Sequence, residues 1–75
     1  MTWKNRIQFN PKIMGGKPVI KGTRVPIQII VGSLAGGMTE DEVSREYHIT
    51  NKDIKAALAY AADTLTEEKV HALSH

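Results

Sequence analysis

No cysteine occurs in the 75 residues, which excludes disulfides and thiolate metal sites at once. A domain this short sits near the lower limit for folding without staples, because a single core of this size supplies only about 3–5 kcal/mol. Stability must then come from a compact helical core or from association of subunits. No apolar run approaches the roughly 18 residues that a membrane span needs. Behind Met1-Thr2-Trp3-Lys4-Asn5 there is no apolar stretch with a small-residue cleavage site, so no signal peptide is expected and the cytoplasm is the expected location. No repeat, low-complexity tract or linker interrupts the chain, which reads as one domain over residues 1–75.

Acid is missing from the first third. Residues 1–25 carry Lys4, Arg6, Lys12, Lys17, Lys21 and Arg24 and no Asp or Glu, a balance of +6. Residues 26–75 carry four basic residues (Arg45, Lys52, Lys55, Lys69) against eight acids, −4, which returns the overall +2. This split suits a basic arm that meets a polyanion or an acidic partner. It equally suits an arm that neutralises acidic helices of its own or a neighbouring subunit. Otherwise the composition, 41% hydrophobic and 24% charged, is that of an ordinary globular domain.

The arm, residues 1–25, reads as short strands and turns. Arg6 to Phe9 alternates polar and apolar, as a strand does. Asn10-Pro11 and Gly15-Gly16 are turn signals. Pro18-Val19-Ile20 and Thr23-Arg24-Val25 flank Lys21-Gly22, which predicts a tight β-hairpin with Gly22 at positive φ. From Pro26 the pattern turns helical, with Ile27, Ile30, Val31 and Leu34 on one stripe and Gly36-Gly37 as its end. Thr39-Glu40-Asp41-Glu42 is a capping box that starts a second helix, with Val43 and Tyr47 facing inward. Thr50, with Asp53 three residues on, starts a third helix whose stripe is Ile54, Leu58, Ala61 and Leu65. A tail over residues 66–75 has only Val70 and Leu73 to bury. The expected class is α+β, mostly helical: short N-terminal strands, then a three-helix, helix-turn-helix core over residues 26–65.

Two short helices, Thr39 to Tyr47 and Thr50 to about Leu65, joined through His48 and Ile49, have the layout of a helix-turn-helix. Ile49 would plug the junction. In such a unit the start of the last helix enters the major groove, so Thr50, Asn51, Lys52 and Lys55 are the candidate DNA contacts. Asn51 suits an adenine edge, and Lys52 a guanine edge or a phosphate; both are also ordinary residues for any exposed first helical turn. Lys17, Lys21 and Arg24 would hold phosphates around the hairpin, or Arg24 would pair with a carboxylate. The nearly uncharged set Ala56, Ala59, Tyr60 and Ala62 suits burial against a subunit or protein partner.

Gly15-Gly16-Lys17-Pro18 departs from a nucleotide-binding loop, because proline follows the lysine where Ser or Thr and a helix are required. His71 and His75, four apart, lack a third ligand, and no metal or cofactor is expected. No nucleophile, base and orienting group can be assembled, so an enzyme is not expected.

The segment Gly15-Gly16-Lys17-Pro18-Val19-Ile20-Lys21-Gly22-Thr23-Arg24-Val25-Pro26 resembles the signature of domain-of-unknown-function family 433, small bacterial antitoxin-like proteins. The resemblance continues through Gly37-Met38-Thr39, Glu42-Val43, Tyr47 and Asp53-Ile54 to Ala57-Leu58-Ala59-Tyr60-Ala61, and begins at Trp3 with Arg6-Ile7. It implies a small α+β helix-turn-helix domain, often a homodimer, that pairs with a PIN-like nuclease toxin. It supplies no catalytic residues. Many members read Tyr-Pro between the second and third helices, where this chain has Tyr47-His48-Ile49-Thr50. The expectation is an antitoxin-like module that binds double-stranded DNA and a toxin partner. The alternative is a protein-interaction module that neutralises its partner without DNA, and a phosphate-binding domain using Lys17 and Lys21 is a third.

Overall fold

The computed structural model describes residues 2–73, with side chains through Thr66. Two antiparallel strands, β1 (Ile7–Phe9) and β2 (Pro18–Ile20), precede three helices: α1 (Ile27–Ala35), α2 (Glu40–Tyr47) and α3 (Asn51–Leu73). This is the small, mostly helical α+β domain that the patterning predicts.

The strands pair with Ile7 opposite Ile20, Gln8 opposite Val19 and Phe9 opposite Pro18. That partner corrects the expected hairpin: β2 pairs with β1, and residues 23–25 return beside it with only a single bridge, Val19 to Pro26. Thr23 explains the difference. Its hydroxyl donates to the Ile20 carbonyl at 2.7 Å and accepts from the Val25 N–H at 3.0 Å, local bonds that compete with a ladder. Pro26 then has no N–H with which to extend one. The turn itself forms where expected, with Gly22 at φ 81°.

Helix limits follow local chemistry. α1 begins directly after Pro26, buries Ile27 and Ile30, and ends in a Schellman closure. There Gly37, at φ 109°, donates to Leu34 O and Met38 donates to Ser33 O, both at 3.1 Å. α2 has the full capping box: Glu42 N–H donates to Thr39 Oγ1 at 3.1 Å, and Thr39 N–H donates to Glu42 Oε1 at 2.9 Å. The Thr39 backbone N–H first, and then the Thr39 hydroxyl, stabilise the ionised Glu42 carboxylate and hold it below its ordinary value of 4.5. α2 closes on His48 in the left-handed region, φ 56° and ψ 47°, and Ile49 N–H bonds back to Ser44 O at 3.1 Å. Ile49 is buried and plugs the junction, as its position predicts.

The core is aliphatic: Ile7, Val19, Ile20, Ile27, Ile30, Val43, Ile49 and Ile54, closed by Ala56 and Ala57. Each fully buried Ile or Val contributes about 1.5–3 kcal/mol. The inward face of α3 differs from the predicted stripe. Ile54 is fully buried, Leu58 and Ala61 are half-buried, and Leu65 is 64% exposed. α3 has neighbours on two sides, α1 and α2 on one and residues 3–6 on the other, so burial spreads around the helix at its start. Its backbone continues through Leu73, past the Leu65 boundary expected from the sequence.

Candidate functional site

The start of α3 is built by the pair Thr50 and Asp53. Thr50 N–H donates to Asp53 Oδ2 at 3.0 Å, and Asp53 N–H donates to Thr50 Oγ1 at 3.1 Å. Asn51 and Lys52 follow on the exposed first turn. Asn51 borders an open depression of about 380 Å³ shared with Asp41, Ser44 and Arg45 of α2. Lys55, one turn on, is held by Glu40 of α2 at 3.2 Å, with both side chains substantially exposed. Such a pair contributes about 0–1 kcal/mol and leaves Lys55 able to exchange Glu40 for another anion.

Arg6 joins this helix start to the basic turn. Its guanidinium donates to Asp53 Oδ1 at 3.1 Å, and its carbonyl accepts from the Lys21 N–H at 2.8 Å. One residue directly before β1 therefore ties the first turn of α3 to the turn that carries Lys21 and, three residues on, Arg24. Both of these side chains are exposed. Gly22 N–H adds a bond to Gln8 Oε1 at 3.2 Å, which fixes the turn against β1.

Lys17 does not join the group. It precedes β2 while Lys21 follows it, so about 13 Å of extended chain separates them. Lys17 follows a 3-10 turn, Met14–Gly16, with Gly15 and Gly16 at positive φ, and it leads into a strand. A nucleotide-binding loop would lead into a helix.

The alanine face requires a correction. Ala56 is fully buried within the chain's own core and presents nothing to a partner. Residues 53, 56, 60 and 63 of α3 form one face, and the segment Trp3–Arg6 sits on it. The Trp3 indole N–H donates to Asp63 Oδ2 at 2.8 Å, and its ring meets Tyr60 edge-on at 4.8 Å between centroids. Ala59 and Tyr60 are half-buried, and Ala62 is exposed.

Beside this face, α1 and α3 leave an open groove of about 450 Å³. Ile27, Gln28, Val31 and Gly32 form one wall; Tyr60, Ala61, Thr64 and Leu65 form the other, and Pro18 closes one end. Phe9, opposite Pro18 in the sheet and 52% exposed, extends the apolar surface and packs with Trp3 and Tyr60. Among the described residues, no group of three or more His, Asp or Glu is placed to hold a metal ion. The side chains of His71 and His75 lie outside them. No described helix is long and apolar enough to cross a membrane.

The model of a protein family of unknown function, DUF433, matches residues 7–61, from β1 to the middle of α3. The chain belongs to the DUF433 family. Two solved structures share the fold. A DUF433 member protein from Anabaena variabilis is 28% identical with a TM-score of 0.77, over 91% of this chain and 68% of that one. Rv2018 from Mycobacterium tuberculosis is 26% identical with a TM-score of 0.68, over 76% of this chain. The chain spans only 27% of the length of Rv2018. No curated protein gives a significant match.

Within this DUF433 chain, two features escape sequence reasoning. Arg6 reads as one more cation of the basic arm, because its partner Asp53 lies 47 residues away with no local signal between them. The groove escapes because the helical stripe points Leu65 inward. The isolated Gly32 in mid-helix is the available clue.

Proposed function

We propose that the chain is an antitoxin-like helix-turn-helix module that binds double-stranded DNA and, through its apolar surface, a PIN-like nuclease partner. The observation that carries the DNA half is the Arg6 link. It ties the first turn of α3, which carries Asn51 and Lys52 with Lys55 a turn further on, to the backbone of the turn that carries Lys21 and Arg24, which supports one footprint for both. A helix start in a major groove with cations flanking it is the arrangement that base reading plus phosphate clamping requires. The short α2–α3 connection, closed by left-handed His48 and plugged by Ile49, supports the same reading by fixing the angle between the helices. Lys17, at the far end of β2, is left out of this footprint, and no catalytic role is assigned.

The test is a salt titration of DNA affinity for Lys21→Ala, Arg24→Ala and Lys52→Ala. Removing one cation from a phosphate lowers the log–log salt slope by about 0.9. Unchanged slope and affinity in all three overturns the proposal.

The second reading, a module that neutralises its partner without DNA, is favoured by the groove, uncharged among the described residues, and by the partly exposed aromatic cluster beside it. Co-purification of a nuclease that DNA neither displaces nor joins would support it over the first.

A further inference from the structure

We propose that the loop end of the sheet, centred on Phe9, is a binding site for single-stranded nucleic acid. Unpaired bases stack on the Phe9 ring while Lys4, Lys12 and Lys17 hold the phosphates. Phe9 stands outside the α1–α3 groove that it adjoins, and the proposal does not rest on duplex binding at the α3 start. The ring is the first observation. Phe9 ends β1 on the same face as buried Ile7, two residues along, yet it is 52% exposed. Trp3 meets it edge-on at 6.4 Å between centroids, and Tyr60 lies tilted at 5.8 Å. These two rings hold Phe9 in place and leave about half of it open, which is a preformed stacking surface.

The second observation is charge. Lys4 directly follows Trp3, and Lys17 directly precedes Pro18, the residue opposite Phe9. Lys12 stands in the loop between the strands, where its N–H donates to Asn10 Oδ1 at 2.9 Å. Met14, Gly15 and Gly16, at φ 51°, 66° and 88°, turn that loop back, so Lys17 re-enters the sheet beside the end of β1. All three lysines are exposed and, among the described residues, none is in an ion pair. The acid in contact with the cluster, Asp63, is engaged by the Trp3 indole N–H at 2.8 Å. Cations that balance no acid of their own fold suit phosphate. The ring selects the kind of strand. A duplex keeps the faces of its bases inside its own stack, whereas an unpaired strand offers them to an aromatic side chain. An acidic protein surface would satisfy the lysines but not the ring.

Trp3 is the single tryptophan and touches Phe9, so its fluorescence reports binding directly. The experiment titrates the full chain with oligo(dT) and oligo(U) of about 12 nucleotides, with a duplex of that length and poly-glutamate as controls. Saturable quenching by a single strand, weaker with both controls, is the expected result, and the tighter of the two strands tells DNA from RNA. Phe9→Leu, which keeps an apolar side chain against Trp3 and Tyr60, should weaken strand binding about tenfold. Lys17→Ala should lower the log–log salt slope by about 0.7, and this exposed position keeps the test valid if Phe9→Leu unfolds. Lys52→Ala should leave strand binding unchanged, so failure here and failure of the duplex reading are separate results. No quenching by either strand up to high micromolar concentration overturns the proposal. Equally tight binding of duplex or poly-glutamate overturns it too, as does strand binding that neither Phe9→Leu nor Lys17→Ala weakens.

Discussion

Replacing Asp53 by alanine removes two bonds at once, because each carboxylate oxygen has its own donor. Oδ2 accepts the Thr50 N–H at 3.0 Å, half of the helix cap, and its loss costs about 0.5–1 kcal/mol. Oδ1 accepts the Arg6 guanidinium at 3.1 Å, with the carboxylate side chain only 15% exposed and the arginine 36%. A hydrogen bond to a charged partner contributes about 1.5–3 kcal/mol when well buried. Solvent at the arginine end reduces this to about 1–2 kcal/mol. The sum, about 1.5–3 kcal/mol, is a large share of the about 3–5 kcal/mol available to a domain of this size. For a loss of about 2 kcal/mol, Tm falls by about 8–16 °C. Asp53→Asn, which keeps an acceptor for the cap, should lose roughly half as much. Urea melts of Asp53→Ala, Arg6→Ala and the double variant isolate the pair, with an expected coupling of at least about 0.5 kcal/mol. Additive losses, or an Asp53→Ala loss below about 0.5 kcal/mol, would refute the view that Arg6 fastens β1 to α3.

His48→Gly should raise stability by about 0.5–1 kcal/mol in urea melts, since glycine relieves the left-handed strain at the end of α2. Ala56→Leu should lower stability by about 1–3 kcal/mol through overpacking beneath Trp3 and Tyr60, whereas Ala62→Leu should stay within about 0.5 kcal/mol. Glu42 gives a pH signature. Its folded pKa is depressed, so its contribution is complete above the ordinary value of 4.5 and disappears as pH falls through the lower folded value. Melts of Glu42→Gln against wild type from about pH 7 to 2 should therefore converge in acid, and a constant offset across that range would contradict the cap's electrostatics.

The features legible in the sequence are those set by neighbours within a few residues. The capping boxes at Thr39 and Thr50, the entry at Pro26, the exit at Gly36-Gly37 and the plug at Ile49 each need only a helix turn of context. Pairing is harder to read, because Pro18–Ile20 has two possible partner strands. The choice turns on Thr23, whose side chain bonds to its own turn. The α3 stripe misleads for a related reason: a period of 3.6 marks one buried side, and this helix is covered on two near its start. Hence Ala56 is inside while Leu65 is outside. Of the candidate site, the α3 start is readable as a helix N-terminus. Its link to the basic turn is not, because Arg6 and Asp53 meet only after folding, and neither is the separation of Lys17 from Lys21 by the length of β2.

The central claim is that this face reads duplex DNA. It is tested most directly by titrating the purified chain onto DNA from upstream of its own gene, with unrelated duplex as control, at about 50 and 200 mM salt, the range over which phosphate binding weakens steeply. Tighter binding to the upstream DNA, falling sharply as salt rises, is the predicted result. No binding, or equal and weak binding to both duplexes, would contradict it and leave the apolar groove as the functional surface.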